Sequence, residues 1–253
     1  MSSTAVSLVV FAILMCGAFL GALARRRIDS RHLDDQSREV IRLGTGLLGT
    51  LAALVLGLLI ASAKNSFDAQ AAQVKQITAD VVQLDLVLAQ YGTDASDARA
   101  QLRQTLGPLV ERIWQTDTPV SGTRQAFTTT SGGESTFLSV ERLAPQSELQ
   151  RWLKGQAIAA MTDLVKARAL LFAQAGNPVP IPFLVVLIFW LAIIFMTFSL
   201  FARLNTIVIA VLATLALSVS GAIFLILSLN QPFSGPLQIS SAPLRDALAP
   251  LVP

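Results

Sequence analysis

The chain has 253 residues, of which 53% are hydrophobic and 14% charged, against roughly 25% charged in an average soluble domain. A net charge of +3 and a single cysteine exclude a disulfide-stapled fold, and long uncharged runs mark a membrane protein. Eleven basic and eleven acidic side chains balance between positions 64 and 168, so the polar part lacks the concentrated basic face that nucleic acid requires.

The first apolar run, residues 3–24, carries no basic residue before it and exceeds a signal-peptide core in length, so it reads as a retained membrane helix. Cys16 within it reads as a small packing residue. Arg25, Arg26 and Arg27 follow directly and mark that end as cytoplasmic by the positive-inside rule. They open an arginine-rich connection, residues 25–42, in which the lone histidine, His32, reads as solvated rather than as a metal ligand.

The second run, residues 43–63, is 21 uncharged residues long and meets the length needed to span a bilayer. No glycine or proline follows Gly57 until Gly92. The expected element is one helix from Leu43 to Tyr91, roughly 70 Å at ~1.5 Å per residue, continuing out of the membrane. Gly49, Ala53, Gly57 and Ala61 recur every four residues and form a small-residue helix-packing stripe. Beyond Lys64 the pattern becomes heptad: Phe67, Val74, Val81 and Leu88 form one series, and Gln70, Ile77, Leu84 and Tyr91 the other. That is the seam of a coiled coil or of a helix laid along a bundle. Asp80 and Asp85 lie off it and are expected to be solvated or capping charges.

A helix is expected after Asp94, burying Ala98, Leu102, Leu109, Ile113 and Trp114, with Gly107-Pro108 kinking or dividing it. Residues 116–133 read as an exposed loop. A short helix over 134–143 and a long amphipathic one over 147–175, capped by Ser147, complete an extramembrane helical domain, residues 64–178. Two further spans fill residues 179–229. The first is rich in aromatics, with Trp190 at mid-run hinting at burial against protein, lipid contact being the simpler alternative, and the second carries its own small-residue series at Ala210, Thr214, Ser218 and Ala222. Residues 230–253 read as a short tail. Arg203, between these spans, would share a side with the first arginine-rich loop, placing the helical domain outside.

The fold class is therefore all-α: four transmembrane helices, over residues 1–63 and 179–229, with a helical domain between the second and third. No Asp, Glu, Lys, Arg or His lies within a span, which disfavours an ion-coupled transporter. Gly-x-Ser-x-Gly, His-Glu-x-x-His and paired-cysteine motifs are missing. The sequence names no catalytic residue, metal site or cofactor, and points away from an enzyme. A solute path would be lined by apolar side chains, hydroxyls and backbone.

The segments ALVLGLLIASAKNSFDA and LAQYG in the second helix, the proline-led aromatic third span and the terminal LILSLNQPFSGPLQISSAPLRDAL together resemble the bacterial bestrophin-like family of integral membrane proteins. The family name carries a more distant likeness to bestrophins, pentameric anion channels whose pore is lined by the second span. Val55-Leu56-Gly57-Leu58 is similar to the bestrophin Val-Leu-Gly-Phe. This resemblance implies a pore constriction at Thr50, Leu54 and Leu58, with Thr50 a polar departure from an apolar neck. Pro232, Phe233 and Gly235 are similar to a post-span Pro-Phe-Gly motif, but the acidic calcium-binding run that follows it in some bestrophins has no counterpart here. The partners implied are the lipid bilayer and further copies of the chain, five by resemblance, in a multi-pass protein of the bacterial plasma membrane. Bestrophins hold their soluble region in the cytoplasm, opposite to the arginine-based reading, which leaves the side of the membrane open. The alternative function is a membrane-anchored interaction or signalling protein whose helical domain binds a partner.

Overall fold

The computed structural model describes residues 2–27, 35–115, 131–175, 181–202, 205–233 and 235–248. Every regular element among them is helical: α1 (Ser3–Arg27), α2 (Asp35–Tyr91), α3 (Ser96–Gln115), α4 (Ser131–Glu141), α5 (Glu148–Ala175), α6 (Ile181–Phe201), α7 (Thr206–Leu229) and α8 (Ala242–Leu248), with a 3-10 turn at Thr93–Ala95. The chain forms two compact units, one from Met1–Asn65 with Pro178–Asn230, the other from Ser66–Asn177 with Gln231–Pro253. Helix α2 contributes to both. It is unbroken because nothing after Gly57 interrupts it, and it stops where Gly92 adopts φ 111°, a conformation that costs glycine little.

In the first unit, α1, α2, α6 and α7 are each long and apolar enough to cross a membrane. Val10, Leu14 and Ala18 of α1 are buried with Ala52, Leu59 and Ala63 of α2, Leu187, Ile194 and Phe195 of α6, and Ala216, Ile223 and Ile226 of α7. Gly17 lies against Ala192 and Gly21 against Met196. These positions advance together along the two helices, so α1 and α6 run parallel. Without side chains at 17 and 21, backbone meets backbone, the contact that small residues permit between membrane helices. At its other end, α1 meets the end of α7, where the Ser228 hydroxyl donates to Ser3 Oγ at 3.4 Å. Trp190 is half-buried against this core. Cys16 is exposed, on the side of α1 away from it.

The second unit has an apolar core of its own. From Val74 onward the heptad positions of α2 enter it, whereas Phe67 is only half-buried: Val74, Ile77, Val81, Leu84, Leu88 and Tyr91 pack with Leu102, Leu106 and Val110 of α3, Val140 of α4, and Leu153, Ala157 and Leu171 of α5. Fully burying one such leucine contributes about 1.5–3 kcal/mol. Helix α3 is not divided at Gly107-Pro108. The proline forfeits one backbone hydrogen bond, while Leu106 and Val110 on either side of it stay packed in the core. The loop expected over 116–133 is shorter at its far end, since α4 already begins at Ser131; residues 116–130 lie outside the described residues. Ser147 caps α5, its Oγ accepting from the Gln150 amide at 3.1 Å, as the sequence leads one to expect. Lys154 Nζ donates to the carbonyls of Glu141 and Leu143 at 2.6 and 2.8 Å, closing the connection after α4.

Two expectations need correction. Asp80 and Asp85 are not solvated: they are 5% and 8% exposed, because α3 covers that side of α2. Arg99 of α3 forms a two-pronged ion pair with Asp85, Nε and Nη2 donating at 2.8 and 2.9 Å. This hydrogen bonding to the carboxylate raises the Arg99 pKa from its ordinary value, against the opposing effect of burial. Asp80 accepts from Gln76 Nε2 at 2.8 Å.

Residues 231–248, legible only as a tail, pack into this second unit. Leu244 of α8 is buried in its core. The Trp114 indole donates to the Ile239 carbonyl at 2.7 Å and meets the Phe233 ring edge-on, with centroids 5.7 Å apart.

Candidate functional site

Around α2 the membrane portion divides into two faces. Ala52 and Leu59 are turned into the unit, at 3% and 7% exposure, whereas Leu54 and Leu58 are 69% and 65% exposed. Position 54 stands about 200° from position 52 at 100° per residue, so these are opposite sides of one helix. Thr50, Leu43, Leu47 and Leu51 share the open side. The Thr50 hydroxyl donates to the Leu47 carbonyl at 2.7 Å, which spends its proton on the helix and leaves its oxygen outward as an acceptor. The face is thus leucine-rich with one hydroxyl oxygen.

The small-residue stripe also turns away from the chain's own helices. Ala53, Gly57 and Ala61 are exposed and Gly49 is half-exposed, and a Cβ built at Gly49 or Gly57 would meet nothing within 4 Å. The same holds in part for α7, where Ala210, Thr214 and Ser218 are exposed and Ala222 is half-buried. Close helix approach within the subunit instead uses Gly17 and Gly21. The sequence carried that signal as Gly17-x-x-x-Gly21, the same small-residue spacing, in the first span.

The post-span residues Pro232, Phe233 and Gly235 fall in the second unit. The Ile239 amide donates to the Pro232 carbonyl at 2.7 Å, and Gly235 adopts φ 88° in the turn so closed. Among the described residues no group of three or more His, Cys, Asp or Glu side chains could hold a metal ion; His32 lies outside them.

Four apolar crossing-length helices and a helical bundle built on the extension of the second define the class: an all-α membrane protein with a helical extramembrane part. The Bestrophin-like domain profile matches residues 8–244, and the chain belongs to that family. Solved structures agree on the fold. A bacterial bestrophin homologue from Klebsiella pneumoniae carrying an isoleucine-to-threonine substitution superposes with a TM-score of 0.69 at 15% identity, covering 96% of this chain and 99% of that one. A tryptophan-to-alanine form of the same homologue gives 0.69 at 14% identity, covering 100% and 97%. No curated protein sequence matches.

Proposed function

We propose that this protein is an oligomeric ion pore of the bacterial plasma membrane, selective for anions, with α2 of each copy facing a common axis. The spans are assigned to residues 3–24, 43–63 and 179–229, the helical domain to 64–178 and the C-terminal segment to 230–253. Five copies follow from the family resemblance. The observation that carries the proposal is the outward face of α2: Leu54 and Leu58 are 69% and 65% exposed among the described residues. In a ring these leucines form the constriction, with Thr50 beside them, and water passes or withdraws according to the bore they leave. Gly49, Ala53, Gly57 and Ala61, about 100° round the helix from that face, then pack against the adjacent copy.

The test is chloride flux through the purified protein in liposomes. Leu54→Ala and Leu58→Ala widen the constriction and raise the flux; an inserted wild type with no flux, or flux indifferent to both substitutions, overturns the proposal.

A second reading is a membrane-anchored interaction protein. It is favoured by Leu149 and Trp152, exposed on the first turns of α5, where aromatic and aliphatic side chains suit a protein partner.

A further inference from the structure

Seven of the chain's nineteen basic residues, all arginines, lie between positions 25 and 42 or at position 203. Four acids share these stretches: Asp29, Asp34, Asp35 and Glu39. The other twelve basic residues balance twelve acids, so these two connections carry the whole net charge of +3. Both fall at one end of the first unit. Helices α1 and α2 are joined there, α6 runs parallel to α1, and α7 sets out from the same end at Thr206. At the opposite end Ser3 meets Ser228.

Arg26, Arg27, Arg38 and Arg42 are exposed and Arg25 is half-buried, with Glu39 exposed among them. Among the described residues none of these five arginines enters an ion pair. Arg25, Arg26 and Arg27 suit the last turn of α1, where the helix field favours a cation. Arg38 has no such reason. It lies in the first turn of α2, which starts at Asp35, and there the field of the helix opposes a cation.

The same end of α7 carries a groove of about 440 Å³ lined by Thr206, Ile207, Ala210, Val211, Thr214 and Leu215. Ten residues at ~1.5 Å each keep it within ~15 Å of the arginine-bearing end, half of a hydrocarbon core ~30 Å thick. The Thr214 hydroxyl donates to the Ala210 carbonyl at 2.9 Å, so its proton is spent within the helix and the groove is apolar in character.

We infer that this end of the membrane unit is a binding surface for anionic phospholipid: the arginines hold headgroup phosphates, and the α7 groove seats an acyl chain of the same leaflet. A guanidinium presents paired N–H donors that match two phosphate oxygens, and basic clusters at the ends of membrane helices attract anionic lipid. The four acids reduce the positive field without cancelling it. The inference goes beyond the pore reading and holds for one copy or for several.

The experiment reconstitutes the full-length protein in phosphatidylcholine bilayers containing a trace of spin-labelled phosphatidylglycerol or spin-labelled phosphatidylcholine. Electron paramagnetic resonance measures the fraction of each lipid held at the protein surface. The wild type is expected to favour phosphatidylglycerol by roughly twofold or more at low salt. The preference should shrink between 0.1 M and 1 M salt, as the screening length falls from ~10 to ~3 Å. Arg38→Gln with Arg42→Gln should lower it, and Arg38→Lys with Arg42→Lys should keep part of it. For the groove, Ala210→Cys in a Cys16→Ala background carries a small fluorophore, which acyl-brominated phosphatidylglycerol should quench more than acyl-brominated phosphatidylcholine. A wild type with no preference, or a preference that the glutamine pair leaves intact, overturns the inference. So does a fluorophore quenched by neither lipid, which would mean that protein covers the groove. Displacement of the labelled phosphatidylglycerol by millimolar inorganic phosphate, at ionic strength matched with chloride, would assign the arginines to free phosphate and overturn the lipid reading.

Discussion

Gly21→Ala tests the parallel contact between α1 and α6. A methyl built on Gly21 stands 2.9 Å from the carbonyl carbon of Met196 and closer still to its oxygen, while one built on Gly17 stands 2.9 Å from the carbonyl oxygen of Ala192. Both neighbours are backbone and cannot swing aside, so relief requires the two helices to part, by about 1 Å at position 21 and a few tenths at 17. Overpacking of this kind costs about 1–3 kcal/mol, against a gain of about 1 kcal/mol from replacing a helical glycine by alanine. The balance for Gly21→Ala is a loss of about 2 kcal/mol, and for Gly17→Ala a loss nearer zero to 1. Gly57→Ala meets nothing within the subunit, so in separated subunits it keeps the propensity gain, about 1 kcal/mol. Equilibrium unfolding in mixed micelles, followed by circular dichroism, measures all three. A Gly21→Ala protein as stable as wild type, or a separated Gly57→Ala subunit as damaged as Gly21→Ala, would refute the packing described.

Two further outcomes concern the second unit. Trp114→Phe keeps most of the apolar contact with Phe233 but leaves the Ile239 carbonyl without its donor; hydrogen exchange across residues 231–248 should quicken by roughly tenfold, the equivalent of about 1.4 kcal/mol for one lost hydrogen bond, and unchanged exchange would contradict the docking. Tyr91 is buried, and desolvation, helped by the negative charge of Asp94, raises the pKa of its phenol. With the folded pKa above the unfolded one, its contribution is full below about pH 10 and is lost as pH rises through the folded value. Chemical denaturation from pH 9 to 11 should therefore show a decline that Tyr91→Phe reduces, and the phenylalanine variant should cost little at pH 7, because the hydroxyl has no hydrogen-bond partner among the described residues.

The long helix was legible because hydropathy and period are local properties. An uninterrupted apolar run passes into a heptad pattern, and Gly92 ends it. The same locality explains the errors. Asp80 and Asp85 look solvated on an isolated helix; only the register between α2 and α3 brings Arg99 to Asp85 and covers both acids. Residues 231–248 have no amphipathic period long enough to announce a core element, and their docking joins Leu244 in the core to an indole 125 positions from Ile239. Within the membrane, apolar side chains point both to lipid and to protein, so periodicity does not tell an inner from an outer face. The stripes of α2 and α7 and the Gly17-Gly21 pair look alike as spacings, yet Gly17 and Gly21 carry the close approach inside the subunit. Thr50, Leu54 and Leu58 are singled out through resemblance, because a single chain's periodicity does not encode how copies would be arranged.

The central claim is that several copies gather around α2. The most direct measurement is the mass of the purified complex in detergent, corrected for bound detergent. The account predicts one discrete species containing four or more of the 27.0 kDa chains, with five following from the family resemblance. A monomer or dimer as the sole species, under conditions where the protein remains folded, would contradict it.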